Sequence, residues 1–232
     1  MPETSLIVRN SLAKTLWKLE DLRYSGHLKK SPELTEALEW IACRYGEGSY
    51  RDVMIAPAKS DFQLKHPTPT NEGTASGANI KHILGEESVH ILSYWNYSKH
   101  WDRKKTLDMI VRCFRTDSDP PPKYDRPGVF CCATCSIARL RAIASSKPAG
   151  WETICRDGLD VITNASMKDS GRWKRFPFYY TLLGLRELND KFPGQVQPII
   201  DKVRPSVERA QAKSAGKDLG SRFRKHAVDW IK

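Results

Sequence analysis

Cys131, Cys132 and Cys135 form the densest group of metal-ligating residues in the chain, and Cys132-Ala133-Thr134-Cys135 has the spacing that lets two thiolates reach one ion. A structural zinc site needs four ligands, and no second Cys-x-x-Cys or His-x-x-x-His follows. His82 and His90 are left as the completing donors. Small sulfur side chains packed between helices account for the same letters without a metal. The sequence therefore requires no cofactor, and zinc on Cys132, Cys135 and His82 is the alternative it leaves open. A thioredoxin-type redox pair would need a strand before the helix, and that context is missing here.

Two further groups are spaced for chemistry. His82 and Glu86 stand four residues apart, which puts them on one helix face as an acid–base pair or a plain helical salt bridge, with Glu87 beside them. Arg172, Lys174 and Arg175 lie just ahead of a predicted helix at Pro177, with Tyr179 and Tyr180 in its first turn. Free backbone N–H groups and the positive helix end favour an anion there, and three cations add to that. The plainer account is that these charges are solvated and the aromatics belong to the core.

The chain that must position these groups has 232 residues, 40% hydrophobic and 28% charged, which is enough apolar material for a substantial core. Its formal net charge of +11 favours anionic partners of any kind, from nucleic acid to a phosphorylated small molecule. The basic stretch from Lys202 to Lys232 could contact phosphates, but it carries no nucleic-acid-binding motif, so that partner is not favoured. No window approaches the ~20 apolar residues of a membrane helix, and Met1-Pro2-Glu3-Thr4 does not open a signal peptide. A cytoplasmic protein with reduced cysteines, most of them in the core, is the expectation.

Apolar residues recur at helical spacing along most of the chain. Leu6 to Arg23 reads as a helix capped by Thr4 or Ser5, and Ser31-Pro32-Glu33 opens a second with the stripe Leu34, Leu38, Ile41 and Tyr45. Residues 51 to 73 are loop-like; Thr74 to Leu84 is helical, with an interruption at Gly85. Helices follow around Leu107 to Phe114, Cys132 to Ala144, Trp151 to Ile162, Phe178 to Leu188 and Val196 to Val203. No segment alternates with the period of a strand.

Three times an amphipathic helix, a polar turn with Gly-x-aromatic and a second helix follow in order, over Leu34 to Ala78, Leu107 to Ala144 and Trp151 to Leu188. The turns are Gly48-Ser49-Tyr50, Gly128-Val129-Phe130 and Gly171-Arg172-Trp173. The expected fold is all-α, with degenerate helix-pair repeats forming a partial α/α toroid or a short α-solenoid. Its expected division is a helical-repeat domain over 1–190 and a basic C-terminal helical extension over 191–232 packed on it.

Ala37-Leu38-Glu39-Trp40-Ile41 with Arg44 and Gly48-Ser49-Tyr50, and Gly171-Arg172-Trp173 with Tyr179 to Leu185, give residues 33 to 190 a resemblance to the repeats of terpenoid cyclases and protein prenyltransferase β-subunits. The resemblance implies an α/α toroid and an isoprenoid diphosphate held by Arg, Lys and Tyr at helix starts. Arg172, Trp173, Lys174, Arg175, Tyr179 and Tyr180 then become ligand residues, in a pocket shared with Trp40, Tyr50, Phe130 and Phe178. The acidic motif of the cyclases has only Asp117-Ser118-Asp119 as its counterpart, and the Asp, Cys and His zinc ligands of the transferases are not matched by motif. No catalytic residue is assigned.

The leading expectation is a non-catalytic or degenerate toroid protein that binds an anionic or isoprenoid-like ligand, or a protein partner, a second copy included. An enzyme acting on a prenyl diphosphate is the alternative, and a basic nucleic-acid-associated protein the third reading.

Overall fold

A computed structural model describes residues 5–26, 31–112, 131–212, 216 and 218–231. Within them the chain is helical, with no strand: α1 (Leu12–Tyr24), α2 (Pro32–Ala42), α3 (Gly77–Tyr94), α4 (Arg103–Arg112), α5 (Ala133–Ser146), α6 (Trp151–Thr163), α7 (Phe178–Asn189), α8 (Pro193–Gln211) and α9 (Leu219–Asp229). Two short 3₁₀ turns, Tyr50–Asp52 and Lys59–Gln63, occupy the segment expected to be loop. Isolated antiparallel bridges join Tyr45 to Ile55 and Met167 to Trp173. They close the turns at Gly48 and Gly171, whose φ values of 82° and 73° favour glycine. The third Gly-x-aromatic turn, with Phe130, lies outside the described residues.

Capping decides most helix starts. Ser31 caps α2, with Pro32 in its first turn. Cys132 caps α5, its sulfur accepting from the Cys135 N–H at 3.5 Å. The first helix begins later than its apolar stripe predicts, at Leu12 with Ser11 as the cap. The reason is distant in sequence: the Asp61 carboxylate accepts from Ser11 Oγ at 2.7 Å and from the Leu12 and Ala13 N–H groups at 3.0 and 3.3 Å. It also accepts from the Ala58 N–H at 2.7 Å, so one buried carboxylate fixes both a helix start and a loop. Asp61→Ala is expected to lower stability by about 2–4 kcal/mol in chemical denaturation, because it strips partners from several buried donors at once.

Helix α3 runs unbroken through Gly85, where an interruption was expected. A Cβ at Gly85 would come within 3.1 Å of the Met54 side chain, so glycine serves close packing here rather than chain reversal. From His82 to Leu92 every residue of α3 is buried, and α5 is buried from Thr134 to Ile143. These two helices pack along each other as the centre of the molecule. Around them α1 packs on α3, α7 on α5, and α9 on both α7 and α1. Helices α2, α4, α6 and α8 lie against members of that set, and Gly158 lets α6 approach α5: a Cβ there would meet Leu140 at 2.6 Å. The C-terminal helices are integrated in the same core, through Val203, Val207, Phe223, Ala227 and Val228.

No described helix is long and apolar enough to cross a membrane.

Candidate metal centre

Burial makes α3 and α5 unusual, because each also carries charge. Arg139 and Arg141 are both fully buried on α5, and Glu86 and Glu87 face them from α3. Isolated buried charges are costly, so each must find an opposite partner. Glu86 Oε1 accepts from Arg139 Nε at 2.6 Å, and Arg141 Nη1 donates to both Glu87 oxygens at 2.7 and 2.9 Å. The predicted pairing of His82 with Glu86 is therefore replaced by one across the helix interface. Burial pushes the Glu86 carboxyl up to about 7, outweighing the Arg139 charge beside it.

The second pair belongs to a wider network. Arg141 also donates to Glu20 and, at 2.9 Å, to Glu187; Arg23 bridges Glu20 and Glu187 at 2.8 and 2.7 Å. Tyr180 Oη donates to Glu87, and His90 lies 3.5 Å from Glu20 and 3.4 Å from Glu187 through its two ring nitrogens. One cluster thus joins α1, α3, α5 and α7. Burial alone would raise Glu20, but the charges of Arg23, Arg141 and His90 hold it well below the carboxylate range.

On the other pair's side of the interface the cysteines converge. Among the described residues three groupings have donor atoms within 4.8 Å of one another: His82, Cys131 and Cys135; Glu20, His90 and Glu187; and Glu39, Cys43 and His100. The second already holds the Arg141 guanidinium where a cation would sit. The third is fully exposed, and it shows Cys43 to be a surface residue rather than the expected core one.

The first grouping has the geometry of a ligand set. Cys135 Sγ lies 3.8 Å from His82 Nδ1, and Cys132, which is outside that grouping, places its Sγ 3.4 Å from Cys135 Sγ. Donors on one tetrahedral zinc ion, with bonds of about 2.0–2.3 Å, stand roughly 3.5–3.8 Å apart. Hydrogen bonding with Cys135 brings Cys132 down to about 6 and lowers Cys131 as well. The same contacts, together with burial, drive Cys135 far up. Burial, then the Arg139 and Arg51 charges, lowers His82 to about 4, so the imidazole is neutral and its lone pair is available at pH 7.

The surroundings hold these donors in place. The Tyr50 ring packs edge-on against His82, with centroids 4.1 Å apart. Arg51, Asp52 and Cys131 all have left-handed backbones, at φ of 54°, 53° and 54°, a strain that clusters at functional sites. Of the predicted zinc set, Cys135 and His82 are thus brought together, and Cys132 adjoins them through Cys135. Cys131, their neighbour in sequence, joins the same group, whereas His90 belongs to the ion network. Arg139 was missed, although a charge inside the run from Cys135 to Ala144 was its visible signal.

The expected anion site at Arg172 to Tyr180 is organised differently. Tyr180 N–H donates to Glu72 at 2.9 Å, and the Tyr179 and Phe178 N–H groups bond to the same half-buried carboxylate. The protein's own Glu72, also held by Thr70 Oγ1 at 2.9 Å, thus occupies the start of α7. Burial raises this carboxyl despite those bonds. Arg172 lies over the Phe178 ring at 4.5 Å and the Tyr179 ring at 5.3 Å, while Lys174 and Arg175 are exposed. Trp173 and Phe178 are core residues whose rings lie 5.9 Å apart, with Tyr179 5.2 Å from Phe178, whereas Trp40 packs under Arg44 and Tyr50 sits against His82; Phe130 lies outside the described residues.

A cavity of about 590 Å³ opens elsewhere, lined by Arg51, Lys104, Lys105 and Arg112 with Asp102 and Asp108. Several C-terminal cations are engaged internally: Arg222 with Asp21, Arg209 with the Ser170 carbonyl, Arg224 with that of Thr70.

No protein-family model, curated protein or solved structure matches this chain.

Proposed function

We propose that this is a zinc protein, in which His82, Cys131, Cys132 and Cys135 bind one ion that clamps α3 to the start of α5. The observation that carries the reading is the convergence of His82, Cys131 and Cys135, with donor atoms within 4.8 Å of one another, and of Cys132, whose sulfur lies 3.4 Å from that of Cys135. Thiolate and imidazole together suit Zn²⁺ and disfavour Mg²⁺ or Ca²⁺. Four protein donors fill the coordination shell, which fits a structural rather than a catalytic ion. Three thiolates on Zn²⁺ leave one net negative charge, and buried Arg139 is close enough to lower His82, which supports a role in balancing it.

The helix neighbours support a ring, with α1, α3, α5, α7 and α9 as successive inner members and the even-numbered helices outside. That is the order of an α/α toroid, in which the zinc joins two adjacent inner helices.

Elemental analysis of the purified chain tests the reading. One zinc per chain is expected, with at least a tenfold loss of occupancy in Cys135→Ala and His82→Ala and full occupancy in Cys155→Ser, whose thiol is buried in α6 away from the group. Absence of stoichiometric zinc from the parent protein overturns the proposal.

A second reading has one observation in its favour: the cavity beside Arg51 carries four cationic side chains, which suits an anionic small molecule.

A further inference from the structure

We infer that Cys132 and Cys135 are an oxidisable pair, converted to a disulfide by a hydroperoxide with expulsion of the bound metal. The inference rests on the zinc reading above. Their sulfurs are 3.4 Å apart, and the cause is local: Cys132 caps α5 and Cys135 sits one turn on, so the helix start itself aims both sulfurs at one point. Access is graded along the group. Cys132 is half-buried, whereas Cys135 and His82 are buried behind it. A small oxidant therefore reaches Cys132 before Cys135, with that partner sulfur already in contact.

The chemistry balances with the peroxide as the only oxidant. The Cys132 sulfur attacks one peroxide oxygen, the O–O bond breaks, and hydroxide leaves as a sulfenic acid forms. The Cys135 sulfur then attacks the Cys132 sulfur; the S–S bond forms and the S–O bond breaks, releasing a second hydroxide. Two protons from solvent convert both hydroxides to water. In sum, two thiolates, one hydrogen peroxide and two protons give one disulfide and two waters. A disulfide sulfur has lost the thiolate charge that binds the ion. Only Cys131 and His82 remain as donors, and two ligands do not retain zinc against solvent.

Two other described thiols delimit the pair. Cys155 is buried in α6 and pushed up to about 12 by that burial, and Cys43 lies exposed on the far end of α2.

The test uses the full chain as purified, with its zinc, treated with hydrogen peroxide at one to ten equivalents. Released zinc is read with a chromogenic chelator, and linked peptides are mapped by mass spectrometry without reduction. One zinc released per disulfide, a Cys132–Cys135 linkage, and re-uptake of zinc after a dithiol reductant are the expected results. Cys43→Ser and Cys155→Ser should behave as the parent, and Cys132→Ser should slow zinc release at least tenfold. Zinc retained under peroxide, or released with Cys132 and Cys135 still reduced, overturns the inference while leaving the metal site standing. A parent protein that purifies without zinc instead overturns the metal reading, and with it the expulsion step.

Discussion

Arg141→Met is expected to lower stability by about 3–5 kcal/mol at pH 7, among the largest effects of any single substitution in this chain. The guanidinium is fully buried and donates to Glu20, Glu87 and Glu187, which come from three different helices. Methionine fills much of the same volume, so the loss comes from charge rather than from a cavity. The three carboxylates would be left with Arg23 as the arginine beside them and the His90 ring between Glu20 and Glu187. In the parent, Arg141 and its neighbours hold Glu20 and Glu187 below the ordinary carboxylate range against the pull of burial. Such depressed groups stabilise the fold above their unfolded pKa, and that contribution disappears as pH falls. In the variant the burial term is opposed by less positive charge, so the folded values rise. A raised carboxyl costs stability above its unfolded pKa and costs nothing once both states are protonated. Both trends narrow the gap between parent and variant as pH falls from 7 toward 4. Urea unfolding at several pH values reads the effect, and adding Glu87→Gln to Arg141→Met should recover part of the loss. A loss under about 1 kcal/mol, or a gap that widens on acidification, would show that the network does not hold the four helices together.

The helices themselves were largely legible in the sequence, because their apolar stripes and caps are local. Ser31-Pro32 and Cys132 start helices by chemistry contained within one turn. Where a boundary depends on a distant group, local reading fails. The α1 start was misplaced because Asp61 supplies its cap from about fifty residues away. The start of α7 is bonded by the Glu72 carboxylate, whose partnership with Tyr180 has no counterpart in spacing. Gly85 looked like a break because glycine in a helix has two uses, and only the position of Met54 distinguishes them. The metal group was half legible. Cys-x-x-Cys carried its own signal, and His82 entered as one of two histidines; the choice between them was made by Glu20 and Glu187, which hold His90 in another cluster. Arg139-Leu140-Arg141 within a small and aliphatic run was the strongest unread signal, since two such charges cannot be buried without acids opposite.

Stripping the metal with a strong chelator is expected to lower the melting temperature by roughly 8–16 °C. The magnitude follows from linkage: an ion at a thousandfold its dissociation constant stabilises the folded state by about 4 kcal/mol, and each kcal/mol moves a chain of this size by about 2–4 °C. The effect should be reversed by one equivalent of zinc and absent in His82→Ala, which has no site to empty. Unchanged melting of the chelated parent would mean that the sulfurs and imidazole converge for packing alone. The position of the centre makes a second requirement. In the proposed site an ion would tie α3 to α5 through His82 and the cysteines, whereas Arg141 ties the same helices through Glu87 and then reaches α1 and α7. Perturbations with no shared contact add to within about 0.5 kcal/mol. Chelation should therefore cost nearly the same in the parent and in Glu187→Gln, which weakens the network at its far end. A chelation cost that vanishes in Glu187→Gln would instead mean that the zinc acts only through the ion network and is no independent clamp.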